Sequence, residues 1–141
     1  MENCLFCKII TGEIPSAKIY EDEDTFAFLD IKPLTKGHTL VIPKKHCQDI
    51  FDIDESDAKK VIAVAKKVSE KIKGALKADG IRLSQSNGVA AGQDVMHFHL
   101  HVIPRYANDG LPEHLPTATL HLPPVSLEEL KKVAEEIKNK S

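Results

Sequence analysis

The run His97-Phe98-His99-Leu100-His101-Val102-Ile103-Pro104 constrains this chain more than any other stretch. Side chains of an extended strand alternate between its two faces. His97, His99 and His101 therefore share one face, and Phe98, Leu100 and Val102 share the other, which needs a core to cover it. The imidazole row admits three readings: unrelated surface histidines, a metal site built from alternate strand positions, or nucleophilic and acid–base work at a phosphate. The preceding loop, residues 86–94, favours the third. Its residues are mostly small, Gly88 and Gly92 let its backbone approach a ligand closely, and a concave set of N–H groups is a common anion cradle.

The surrounding pattern predicts an α+β fold: a five-stranded antiparallel sheet with one long helix packed on it and a short C-terminal helix. Residues 17–20 and 25–29 flank the acidic turn Glu21-Asp22-Glu23-Asp24 and read as a hairpin. Thr39-Leu40-Val41-Ile42 reads as a third strand stopped by Pro43. Val61, Val64, Ala65, Val68, Ile72, Ala75 and Leu76 recur at helical spacing. Asp54 stands at the N-cap of that helix, Gly80 marks its end, and its lysines form a solvated face. Residues 81–85 make a fourth strand, and the histidine strand spans residues 95–103. Ser126 and Glu129 form a capping box for a last helix, whose stripe Leu127, Leu130, Val133, Ala134 and Ile137 must dock within the chain or on a partner. A single domain over residues 1–141 is expected, with a core over 4–106 and an irregular tail plus helix over 107–141.

Gly92-Gln93 followed by the H-x-H-x-H strand resembles the signature of the histidine-triad (HIT) family. Residues 4–10, 27–31 and 37–46 resemble the family's other blocks, so the likeness covers about Cys4 to Tyr106. A third histidine at 101 points to the hydrolase side, and the blocks look most like the Hint-type bacterial and archaeal branch. The resemblance implies a HIT-like fold and a nucleotide hydrolase acting at the α-phosphate of a purine nucleotide, an AMP or GMP derivative. It implies His99 as nucleophile through a nucleotidyl-histidine intermediate. A free imidazole titrates near ~6.5 and is largely neutral at pH 7, so it needs only a fixed tautomer. His101 would bind phosphate and pass a proton to the leaving group, with His97 completing the catalytic set. Backbone N–H groups near Gln93, Asp94 and Val95, with Asn87 and Gly92 in the same loop, would bind the phosphate. Asp30 would hold the ribose. Phe6, Ile9, Phe28 and Ile31 would wall the base, although an apolar wall and plain core packing look alike in sequence. Alternatives are a dinucleoside polyphosphate hydrolase, a nucleotide-binding regulatory module with only slow hydrolysis, and a metal-dependent hydrolase with the triad as ligands. Hint-type relatives are two-fold dimers joined through the long helix and a strand edge, which implies a homodimer here. Asp94 departs from the hydroxyl residue that many relatives carry. A carboxylate repels phosphate, so Asp94 turns away, is protonated, or meets the leaving group.

Cys4-x-x-Cys7 on its own is redox, metal or accident. A zinc needs about four ligands, and the resemblance supplies the other two as His46 and His97. Such a zinc would be structural, clamping the N-terminus and orienting His97. Cys47 is expected to be a buried thiol. His38 is expected to cap the third strand, and His114 and His121 to lie in the tail, none with a catalytic role. The 141 residues carry 19 basic and 21 acidic side chains, for a net charge of -2. That balance argues against a nucleic-acid partner. No apolar run approaches the ~18 residues of a membrane span, and no signal peptide or prenylation box is visible. A cytoplasmic location is expected.

Overall fold

The computed structural model describes residues 3–114 and 122–139. Its elements run α1 (Leu5–Thr11), β1 (Lys18–Glu21), β2 (Thr25–Leu29), β3 (Thr39–Pro43), α2 (Glu55–Leu76), β4 (Gly80–Ser84), a 3-10 turn (Val89–Ala91), β5 (Leu100–Arg105) and α3 (Leu127–Lys138). The strands form one five-stranded sheet, ordered β1-β2-β3-β5-β4 and antiparallel throughout. The architecture is the one expected from the residue pattern. The acidic turn closes the β1–β2 hairpin because the Asp22 carboxylate accepts from the N–H groups of Asp24 and Thr25, a local bond that favours turns.

Each face of the sheet has its own cover. Ala27 and Leu29 of β2, Val41 of β3, and Leu100 and Val102 of β5 pack under α2, which contributes Val61, Val64, Ala65, Val68 and Ile72. Phe26 and Phe28, Leu40 and Ile42 face the other way, onto Phe6 and Ile9 of α1. β2 and β3 are therefore buried on both faces, which explains their continuous rather than alternating apolar character. The lysines of α2 at 59, 60, 66, 67, 71 and 73 are exposed, as its periodicity requires. Helix α3 is capped as expected, with Glu129 N–H donating to Ser126 Oγ at 3.2 Å. Its buried stripe, Leu130, Ala134 and Ile137, docks inside the chain against α2 and β1.

One element and three local expectations differ from the residue pattern. Helix α1 was not evident, because a seven-residue run rich in isoleucine and phenylalanine has no helical period to read. The long helix ends at Leu76 with Lys77 in the left-handed region (φ 56°), while Gly80 opens β4. Asp54 occupies the N-cap position but its carboxylate pairs with Lys45 Nζ at 2.7 Å instead of capping. The histidine strand begins at Leu100, not Val95, and runs past Pro104 to Arg105. β3 pairs with β5 only over Leu100–Val102, so the N–H that proline lacks is not needed on that side. Ahead of the strand, Phe98 N–H donates to Cys47 O at 2.8 Å rather than into a ladder. Of His114 and His121, the first is exposed and the second lies outside the described residues. No helix among the described residues is long and apolar enough to cross a membrane.

Gly37 holds the turn into β3 at φ +93°, and a Cβ there would lie 2.6 Å from Leu76 Cδ1 and 3.2 Å from Pro104 Cγ. Gly37→Ala combines backbone strain with overpacking and should cost roughly 1–3 kcal/mol. A urea titration of the two proteins checks this. An unchanged midpoint would mean the turn relaxes freely.

Candidate active site

His97 is fully buried, so both of its ring nitrogens need partners. Nε2 lies 2.9 Å from Pro43 O. A carbonyl only accepts, so Nε2 carries the proton. Nδ1 is left as a lone pair, 3.3 Å from Cys4 Sγ and 3.6 Å from Cys7 Sγ. His46 Nδ1 lies 3.4 Å from Cys7 Sγ. These four ligand atoms lie within 4.8 Å of one another. The Cys7 thiol is pushed up to about 11 by burial and by the neighbouring Cys4. Two neighbouring thiolates repel, so a cation between them favours their ionised form. Two thiolate and two imidazole donors at these separations suit a tetrahedral zinc.

The next histidine is set by the first. His99 Nδ1 donates to His97 O at 2.8 Å, so neutral His99 presents the Nε2 lone pair outward. Its ring is buried edge-on against Phe6, with centroids 5.1 Å apart. The free nitrogen opens into a cleft of about 280 Å³. Asp94 Oδ1 stands 3.4 Å from it, on a side chain that is 73% exposed. A protonated His99 would donate from Nε2 to this oxygen, and that interaction holds the Asp94 carboxyl below its ordinary range.

His101, the triad member inside β5 proper, is held by His38, the residue before β3. Leu34 N–H donates to His38 Nδ1 at 3.1 Å. Neutral His38 therefore carries its proton on Nε2, which lies 3.0 Å from His101 Nδ1 and 3.7 Å from Asp30 Oδ2. His101 must accept at Nδ1 and keep its own proton on Nε2, as a donor in the cleft. Burial pushes His101 down to about 3 and pulls His38 below its usual value against the opposing pull of Asp30. Asp30, His38 and His101 also sit close enough to suggest a metal trio, but a proton on His38 Nε2 blocks ligation there. His38 thus does not merely cap β3. It orients His101, and its place in the Gly37-His38-Thr39 turn was the available signal.

The cleft is lined by Phe6, Ile9, Phe28, Ile31, Asp30, Val95, His99 and His101 among others. Phe6, Ile9 and Phe28 are buried, whereas Ile31 is 53% exposed and can close over a bound group. Two loop candidates point elsewhere. Asn87 Oδ1 accepts from Ile50 N–H at 2.7 Å, and its amide group bonds Gln85. Gln93 is buried, donating to Gln48 O and Val95 O and accepting from Gly88 N–H. Both side chains brace the loop. Gly92, at φ 97°, closes the 3-10 turn that aims Gln93 inward.

The HIT domain family model matches residues 11–108. The chain belongs to the HIT family. It is 50% identical over 105 residues to Protein hit of Bacillus subtilis, covering 74% of this chain and 72% of that one. A zinc-bound histidine triad family protein of Mycobacterium smegmatis superposes with TM-score 0.81 at 34% identity, covering 97% of this chain and 91% of that one. A HIT family hydrolase of Clostridium thermocellum gives TM-score 0.68 at 40% identity, covering 82% of this chain and all but 1% of that one (99%). The HIT triad is divided here: His97 faces the thiols, and only His99 and His101 line the cleft. Among the described residues the three imidazoles do not converge on one metal-binding point.

His101 stays neutral in the fold far below the ordinary imidazole value of 6.5. The unfolded chain protonates first, so folding stability falls as pH drops from about 6.5 towards 3. By about pH 5 the His101 contribution alone should reach about 2 kcal/mol. Urea midpoints at pH 7 and pH 5 should differ more for the parent than for His101→Gln. Equal differences would exclude His101 as the source.

Proposed function

We propose that the protein is a nucleotide hydrolase that cleaves a phosphorus–nitrogen bond to the α-phosphate of a purine nucleotide through a nucleotidyl-His99 intermediate. The observation that carries this reading is the His99 Nδ1–H bond to His97 O. It leaves an uncoordinated nucleophilic nitrogen in a cleft that has an apolar wall and a carboxylate, Asp30, for ribose hydroxyls.

His99 Nε2 attacks the phosphorus, and a nitrogen–phosphorus bond forms. The bond to the leaving nitrogen breaks; that nitrogen keeps the electron pair and takes the Nε2 proton of His101, which a solvent proton entering the open cleft replaces, so the ring stays neutral. The developing charge on phosphate is met by backbone N–H groups of residues 93–95. Water then attacks the same phosphorus, releases one proton to solvent past His101, and frees the nucleoside monophosphate and neutral His99 as the nitrogen–phosphorus bond breaks. The Leu34 N–H to His38 to His101 chain supports this cycle by presenting a donor, not a lone pair, at the leaving group. His99→Ala should lower phosphoramidate turnover more than about 1,000-fold while monophosphate binding persists. Acid quenching followed by mass spectrometry should find the nucleotidyl adduct on His99 in the parent. Turnover at the parental rate in His99→Ala would rule out the nucleophile, and tight binding with no adduct would favour a regulatory binding module.

We propose zinc on Cys4, Cys7, His46 and His97. Its chemistry would be structural, neutralising two thiolates and fixing the His97 ring. The donor set and the free Nδ1 of His97 support it, as does the zinc-bound M. smegmatis relative. Protein purified without added metal should contain about one zinc per chain, and Cys4→Ser should lose both the metal and several degrees of melting temperature. A metal content near zero in the parent would sink the site.

We also propose a homodimer in the cytoplasm. β4 closes one side of the sheet with Leu83 exposed, and α2 exposes Ile62. None of the three cysteines is joined in a disulfide, which suits a reducing compartment.

A further inference from the structure

Asp94 and Val95, together with Leu5, line two hollows at once. One is the cleft holding His99 and His101. The other, of about 530 Å³, continues past them to Asn3, Gln48 and Met96, above Cys4 and His46. A substrate with its nucleoside in the first hollow and its phosphorus at His99 Nε2 must send its leaving group across this threshold. His46 is engaged with the thiol cluster, and Asn3, Gln48 and Met96 are uncharged. Asp94 is then the formal charge of the second hollow. Its carboxylate meets His99 alone, with no lysine or arginine in salt-bridge reach among the described residues. The first hollow's one lysine, Lys32, belongs to the Asp30 turn, where its N–H bonds the Asp30 carboxylate.

We propose that Asp94 selects the leaving group, favouring an amine that carries a second positive charge and rejecting one that carries negative charge. This rests on the phosphoramidate reading above. An ammonium on the departing amine would find at the threshold a carboxylate that no lysine or arginine among the described residues neutralises. A carboxylate or phosphate would meet a like charge with no cation to offset it, and such a repulsive element is one of the two routes to specificity. The same carboxylate faces the His99 lone pair, acceptor against acceptor, so a cationic group arriving between substrate and loop also relieves that contact.

The test uses three adenosine phosphoramidates that share the nucleoside and the phosphorus–nitrogen bond. Their amines are a neutral alkylamine, a diamine with a free ammonium, and an amino acid with a free carboxylate. At low salt the ratio of kcat/KM for the diamine over the amino-acid substrate should be about tenfold or more. It should shrink as salt rises and fall to within about threefold in Asp94→Asn and in Asp94→Ser. A ratio unchanged in both variants overturns the proposal. So does a single common factor on all three substrates, because Asp94 would then act on His99 and not on the leaving group. Both outcomes leave the hydrolase reading standing if the neutral substrate turns over and labels His99. Absence of turnover with every substrate in the parent overturns both.

Discussion

The hydrogen bond from buried His97 Nε2–H to Pro43 O organises the rest of the site. It ties the segment before β5 to the end of β3 and forces the His97 lone pair towards Cys4 and Cys7. The His97 carbonyl in turn takes the Nδ1 proton of His99. One residue therefore connects the thiol cluster, helix α1 and the nucleophile. A buried imidazole without both partners would be costly, so the three features hold or fail together.

The second ordering principle is the direction of donors. A backbone N–H cannot accept, so Leu34 N–H dictates the tautomer of His38, and His38 dictates that of His101. Burial keeps both rings neutral, which preserves the alternation of donor and acceptor. His99 and His101 end up opposite in character, one offering a lone pair and the other a proton, although both are histidines two residues apart on one face. The difference comes from what each Nδ1 touches.

Much of this was legible in the chain. The alternation of Phe98, Leu100 and Val102 with three histidines places the apolar row in the core beneath α2, and it survives even where the ladder does not, between Val95 and His99. The Ser126–Glu129 box and the stripe of α2 are local signals that the fold respects. Helix α1 was not legible, because its seven residues form a helix only when Phe6 and Ile9 can bury against Phe26, Phe28, Leu40 and Ile42. The roles of Asn87 and Gln93 were illegible for another reason. A polar loop side chain can face a ligand or brace its own loop, and only the partners Ile50, Gln48 and Val95 decide which.

The sequence by itself determined the sheet, the helix that covers it and the shared face of the triad, because periodicity and caps act over a few residues. Tertiary structure decided how that triad is divided. His97 turns to the thiols, His99 to the cleft, and His101 answers to His38, sixty-three residues away in the chain and 3.0 Å away in space. Protonation and ligation depend on partners brought together by strand pairing, and no local pattern encodes which nitrogen will find which atom.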